Sequence, residues 1–438
     1  MLTLGFLLVV MVFIIIATTK WQVHPFLTLL IAAVTMGFLG GLESDLVLST
    51  LLDGFGETLK SIGVVIACGT VIGTFLERSG AAQAIASNLL KLVGDKKAPL
   101  AMSITGLVVS IPVFCDSGFV ILSSLNKAIS KNKTISMTVL GVSLATGLYA
   151  THVFVPPTPG PLAAAATLRA DIGLVLLLGL VVSIPTAFAG LLWAQLFCRR
   201  FHIIPKEISE YNDNEMPNIW FSLSPIFIPI ILITLRSLTS YSSGPFGNRV
   251  VKDLFNFIGH PVTALLMGVL ISFGFKINLS QNSRFELVTL GLKNAGAIIL
   301  ITGAGGAFGN ILRATDIGDT IGRILTTWNI GLFLPFLIAA VLKSAQGSST
   351  VAIITASAIV SPLLLPMGLS TPVAKALVVL SIGAGSMTIS HINDSYFWIV
   401  SQFSDMDTKT ALFCYSLATL FQGLTGILVV MLLAQFLI

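Results

Sequence analysis

The chain has 438 residues, of which 55% are hydrophobic and 10% charged, against the roughly 25% charged residues of a soluble domain. A mean hydropathy of +0.96 excludes an ordinary water-soluble enzyme. The net charge of +5 reads as loop lysine and arginine that orients a membrane protein, not as a nucleic-acid surface.

Apolar runs of ~17–25 residues, the length a helix needs to cross a bilayer, fill nearly the whole chain. In order, spans are expected at 2–18, 25–41, 58–77, 134–168, 173–198, 219–236, 258–275, 292–312, 372–403 and 411–437. The fold class is therefore an all-α polytopic membrane protein with about ten spanning helices. The first run has no basic leader and no small-residue cleavage site, and reads as a retained helix. Two more apolar regions, 98–129 and 329–364, are interrupted midway by polar and small residues at 112–118 and 346–350. Their arms fall short of the ~20 residues of a full crossing, so both read as re-entrant hairpins. The lysines agree: Lys91, Lys96 and Lys97 precede the first hairpin, and Lys127, Lys131 and Lys133 follow it. Positive residues mark the cytoplasmic side, so this segment returns to the face it left. The same rule places Lys20, Arg199, Arg200, Lys206, Lys276, Arg284 and Lys409 inside. The acidic linker 43–57 and both termini fall outside; Arg249 and Lys252 run against the scheme. The scattered Cys68, Cys115, Cys198 and Cys414 read as unpaired thiols.

The chain also repeats itself. Leu59-Lys60-Ser61-Ile62-Gly63 resembles Leu292-Lys293-Asn294-Ala295-Gly296; a hairpin follows each, then a helix whose apolar pattern breaks at Thr151-His152 or Ser390-His391. An odd number of crossings separates the two starts, so the second copy is inverted. The expected division is 1–55 as N-terminal scaffold helices, 56–200 as repeat 1, 201–290 as linker and further scaffold helices, and 291–438 as repeat 2. Inverted repeats with broken helices are the architecture in which substrate binds near the bilayer midplane.

Irregular backbone inside a membrane is tolerated where it is buried in protein or lines a watery cavity, and the polar residues gather at four such breaks. In the first, Asp116 stands at a hairpin tip, beside Ser117 and Gly118. A carboxylate at mid-bilayer costs ~2.5–3.5 kcal/mol on insertion scales and protonation removes that cost, so Asp116 is a candidate proton carrier; the alternative is a cap for a half-helix starting at Ser117. The second break packs Pro156, Pro157, Pro159 and Pro161 around Thr158 and Gly160. Helix is expected to resume after Pro161, with free N–H groups that suit a carboxylate. His152, at its start, is a second proton-coupling candidate. The third break, Lys343-Ser344-Ala345-Gln346-Gly347-Ser348-Ser349-Thr350, offers hydroxyls for a polyhydroxylated ligand. Lys343 would offset its carboxylate, unless it pairs with Asp116 or Asp394 or snorkels to the interface. In the fourth, Asn393 and Asp394 can bond sugar hydroxyls and cap the helix resuming at Phe397. The substrate-binding candidates are thus Lys343, Gln346, Ser348, Ser349, Thr350, Ser117, Gly118, Thr158, Gly160, His391, Asn393 and Asp394. Gly303-Ala304-Gly305-Gly306 reads as close helix packing, since no strand precedes it and no lysine follows in a nucleotide-loop position. No metal-ligand cluster or nucleophile constellation points to an enzyme, and no cofactor is expected.

The chain resembles the gluconate permease family of proton symporters over nearly its full length. The resemblance rests on Phe114-Cys115-Asp116-Ser117-Gly118-Phe119, on His152 through Pro161, on Gln346-Gly347-Ser348-Ser349-Thr350-Val351-Ala352 and on Ser390-His391-Ile392-Asn393-Asp394. It implies an elevator-type fold of inverted repeats in the inner membrane, a homodimer by superfamily analogy, and uptake of gluconate-like acids with protons. Some relatives carry fructuronate, other sugar acids or D-serine. This chain departs from the family pattern where relatives often have valine for Ser117, histidine for Thr158 and glycine for Tyr396. A sodium-coupled carboxylate transporter is the alternative, because hairpin carbonyls and hydroxyls also suit Na⁺.

Overall fold

A chain in hydrocarbon must satisfy its own backbone, and this one does so with helices. The computed structural model describes residues 2–94, 97–133, 135–205, 216–239, 249–276, 283–315 and 331–438. Lys96, Lys206 and residues 329–330 of the second hairpin lie outside the described residues, as do the side chains of Lys133, Arg249 and Lys252. Among the described residues there is helix, turn and loop but no strand.

The helices are α1 (Leu2–Thr19), α2 (Pro25–Leu39), α3 (Ser44–Arg78), α4 (Ala81–Val93), α5 (Ala98–Val109), α6 (Cys115–Lys133), α7 (Met137–Phe154), α8 (Pro159–Leu168), α9 (Ile172–Phe197), α10 (Ile219–Thr239), α11 (Arg249–Ile258), α12 (Pro261–Ser272) and α13 (Arg284–Ala314). They continue as α14 (Phe333–Gln346), α15 (Ser349–Val360), α16 (Pro372–Met387), α17 (Ser395–Phe403) and α18 (Thr408–Leu437), the last with a π turn at Leu412–Ser416. Among the described residues, six stretches are long and apolar enough to cross a membrane: Ser44–Arg78, Met137–Leu168, Ile172–Arg200, Ile219–Arg236, Arg284–Ala314 and Thr408–Leu437. The expected count was about ten. The difference lies in short helices such as α12, whose 12 residues reach only ~18 Å.

All four expected interruptions are present, between α5 and α6, α7 and α8, α14 and α15, and α16 and α17. Several boundaries differ from the sequence reading. The acidic stretch read as a linker is the first part of α3, which is continuous over 35 residues. Asp45 stands in its first turn, where the helix dipole favours an acid. Helix resumes after the second break at Pro159, not after Pro161; Thr158 is the N-cap, and both prolines fall in the first turn, where no N–H is missed. The fourth helix resumes at Ser395 with Asp394 as its N-cap, two residues before Phe397. Helices α4 and α11, of 13 and 10 residues, are shorter than a membrane crossing and carry no span signal in the sequence.

Helices α3 and α13 pack along their length. Asn310 Nδ2 donates to Thr50 O at 2.9 Å. A Cβ on Gly54 would stand 2.5 Å from Asn310 Cβ and 2.8 Å from Gly306 O, and one on Gly306 would overlap Thr58. Farther along, Gly303 faces Leu59 and Gly291 faces Val71. Numbers rise on one helix as they fall on the other, so the two run antiparallel. This seam is the close packing expected of the 303–306 run, and small residues are what let backbones approach in a membrane. Helix α7 is buried over its whole length, between α5 and α9. Helices α14 and α16 pack as α5 and α7 do. Gln422 of α18 donates to Thr146 O at 2.9 Å and to Thr186 O at 3.2 Å, tying α18 to α7 and α9.

Candidate functional site

A cavity of about 250 Å³ opens where three of the breaks meet the end of α7, just below the ~300–1,000 Å³ range of small-molecule pockets. The tip of the first hairpin contributes Phe114, Cys115 and Asp116; the end of α7 contributes Tyr149 and His152. The second tip contributes Ser348, Ser349 and Thr350, and the fourth break Asp394, Ser395 and Tyr396. Ile298 and Ile301 of α13 close one side with an aliphatic wall.

The electrostatics are set by three charged side chains. Lys343 is 0% exposed, and a buried ammonium is held only by well-placed partners. Its Nζ donates to Asp394 Oδ2 at 2.6 Å and to Gly347 O at 2.6 Å. Asp394 is saturated: Ser390 Oγ also donates to Oδ2, and Tyr396 N donates to Oδ1 at 3.0 Å. Asp116 is different. Its only hydrogen bond among the described residues comes from Cys115 Sγ, at 3.5 Å, and no described cation pairs with it.

The fourth break is strapped to the second tip. Asn393 Nδ2 donates to Ser344 O at 2.9 Å and Ala345 O at 3.1 Å, and His391 Nε2 lies 3.0 Å from Ser344 O. These are the last carbonyls of α14, which have no helical partners of their own. Gly347 turns the chain at φ +81°, and a Cβ there would overlap Asn393 O, so no other residue fits. Three helix starts face the cavity, at Cys115, Ser349 and Ser395, and their free N–H groups and dipoles favour a negative ligand.

Of the residues picked from sequence, Asp116, His152, Ser348, Ser349, Thr350 and Asp394 line the cavity. Lys343, His391 and Asn393 serve the strap. Ser348 Oγ accepts from Val351 N at 3.3 Å as the N-cap of α15. Thr158 Oγ1 donates to Val155 O at 2.5 Å, and Gly160 packs on Ile353; neither reaches the cavity. Gly118 is buried against Leu148, and Ser117 and Gln346 stand beside the tips, outside the lining. Asp116 does not cap its helix, which starts one residue earlier, at Cys115. His152 is buried with its ring edge-on to Phe114 and stacked on Tyr149. Sequence reasoning missed Tyr149, Ser395, Ile298 and Ile301. Tyr149 Oη donates to Ser386 O at 3.3 Å, and Tyr396 Oη to Ala145 O at 3.1 Å. Both rings pack together, their centroids 5.5 Å apart.

The sequence pattern of the GntP family permeases matches residues 2–437. A permease of Haemophilus influenzae is 36% identical over 96% of this chain and 90% of its own length. The gluconate permease of Pseudomonas aeruginosa is 33% identical, over 98% of this chain and 96% of its own. Among solved structures, the YdaH transporter of Alcanivorax borkumensis superposes with a TM-score of 0.63 at 13% identity, over 90% of each chain; that likeness concerns the fold.

Proposed function

The chain belongs to the GntP family of permeases, and we propose that it is a secondary active transporter carrying gluconate, or a closely related sugar acid, with protons across the inner membrane. Gluconate is the substrate named for a relative that aligns along almost the entire chain. The observation that carries the coupling is the charge balance of the cavity. Lys343 neutralises Asp394 at 2.6 Å, which leaves Asp116 as the charged side chain of the lining with no ion-pair partner among the described residues. A sugar-acid anion entering beside ionised Asp116 meets like charge in a poorly screened site. A proton on Asp116 removes that repulsion, so the anion binds best when a proton is bound too. Reciprocal linkage then makes each promote the other.

In this reading Ser349, Thr350 and Ser395 bond the sugar hydroxyls, and the three helix starts hold the carboxylate. The segments 56–200 and 291–438 are inverted repeats, whose first helices are the antiparallel α3 and α13. The hairpins and broken helices form the moving unit, α3 and α13 the scaffold. The acidic end of α3 and both termini face outward, and the protein is a homodimer.

The test is uptake of radiolabelled gluconate into proteoliposomes with an imposed pH gradient and choline in place of sodium. Accumulation that a protonophore abolishes is expected. Accumulation that requires sodium, with the proton gradient intact, rejects proton coupling.

A further inference from the structure

A second cavity, of about 460 Å³, lies toward the acidic end of α3. It forms where the ends of α8, α13 and α15 meet the start of α16, and its lining includes Arg169, Arg313 and Lys375 together with Thr315, Ser361 and Ser370. Glu57 lies 3.7 Å from Arg169, with both side chains about two-thirds exposed, a geometry that contributes little. Among the described residues no acid pairs with Arg313 or Lys375.

A purely structural account explains two of these cations. Arg169 follows the last turn of α8 and Arg313 stands in the last turn of α13, where the helix dipole favours positive charge. Lys375 has no such reason. It sits in the first turn of α16, at the positive end of the dipole, where a cation is disfavoured. Magnitudes decide the sign of the cavity. Three helix C-termini bring about half a negative charge each and one N-terminus about half a positive charge. With Glu57 counted, the three full cations leave roughly one net positive charge among the described residues.

We infer that this cavity is an outer binding site for the carboxylate of the transported hydroxy acid, distinct from the central one. Arg313 and Lys375 hold the carboxylate, and the Ser370 and Thr315 hydroxyls meet the polyol. The inference rests on the transport reading above. The same helices serve both sites: α13 gives Ile301 to the inner cavity and Arg313 to the outer, and α15 gives Ile354 to the inner and leads to Ser361 at the outer. Seven residues of helix separate Ile354 from Ser361, about 10 Å. An acid gathered at the outer site therefore waits close to the inner one, and its local concentration raises the rate of entry.

Equilibrium dialysis of the full-length protein in phosphatidylcholine nanodiscs with radiolabelled gluconate tests this. Two acids per chain are expected. Lys375→Gln and Arg313→Gln should each weaken one site about tenfold and leave the other unchanged. Ser349→Phe should remove the other site instead. In uptake assays, Lys375→Gln should raise KM at low salt, leave the maximal rate nearly intact and flatten the salt dependence; Lys375→Arg should restore all three. One acid per chain, lost in Ser349→Phe and untouched by Lys375→Gln, leaves the transport reading standing and overturns the outer site. So does a second site that loses its gluconate when phosphatidylglycerol is added, since the preferred ligand is then a lipid phosphate. No binding at all overturns both.

Discussion

Replacing Lys343 by methionine tests whether its ammonium holds the site together or holds the substrate. The wild-type ammonium, fully enclosed, has Asp394 Oδ2 and Gly347 O each at 2.6 Å. Lys343→Met leaves the Asp394 carboxylate buried without its cation, a change that costs ~3–5 kcal/mol. At 1.4 kcal/mol per tenfold, the strapped arrangement loses at least a hundredfold of its population advantage. Asp394→Leu strands the ammonium in the same way. The double variant Lys343→Met/Asp394→Leu removes both charges and should recover most of the loss, because a buried pair is worth little against apolar groups of similar volume. Thermal unfolding of the three variants in detergent, read by tryptophan fluorescence, gives the coupling energy from the cycle. Both single variants should melt several degrees below wild type, and the double variant between them and wild type. A Lys343→Met protein that melts within ~1 °C of wild type yet no longer binds gluconate would refute the reasoning and return Lys343 to the substrate.

Asp116→Asn is expected to preserve gluconate exchange and to abolish proton-driven accumulation, measured in counterflow and pH-jump uptake respectively; unchanged accumulation removes Asp116 from the coupling. Gly306→Leu drives a side chain into Thr58 and Gly54 O and should destabilise the α3–α13 seam by ~1–3 kcal/mol or more, visible as lost monodisperse protein on gel filtration. Tyr396→Phe removes the bond to Ala145 O with little change in shape and should cost ~1 kcal/mol, whereas Tyr396→Ala enlarges the cavity and should shift preference toward bulkier acids in a competition assay. Asp407 lies outside the spans and caps α18. The Thr410 hydroxyl and N–H beside it hold its carboxyl below the ordinary range. The stability it gives is present above the unfolded carboxylate value and fades as pH falls through the folded one. Asp407→Ala should therefore lower the melting temperature near neutral pH, with the gap closing in acid.

The breaks were legible because proline, glycine and charge are costly in an apolar run, so Pro112, Pro156–Pro161, Gly347 and Asp394 announce themselves. Which partner each polar group takes was not. Lys343 and Asp394 are 51 residues apart, and a buried cation facing an acid reads the same in sequence as one facing a ligand. The strap by His391 and Asn393 was hidden for the same reason, since a loop amide that bonds a neighbouring carbonyl is composed like one that bonds a sugar. The start of α3 was misread because Asp45, Asp53 and Glu57 suit water; a helix of roughly 53 Å outruns the ~30 Å of hydrocarbon and can carry them. Ile298, Ile301 and Tyr149 gave no signal, as apolar and aromatic residues on buried helices are ordinary core residues until the geometry shows a void beside them.

The seam between α3 and α13 makes those two helices a stiff mast. Side chains cannot be squeezed into it at Gly54 and Gly306, where the two backbones come close. It presents Ile298 and Ile301 to the ligand chamber, two greasy rungs with nothing to donate or accept. A cargo dressed in hydroxyls forms no bond with such a surface and breaks none in passing it. On the proposed transport reading, the movement therefore falls to the hairpin tips, over a track that would grip neither sugar nor proton.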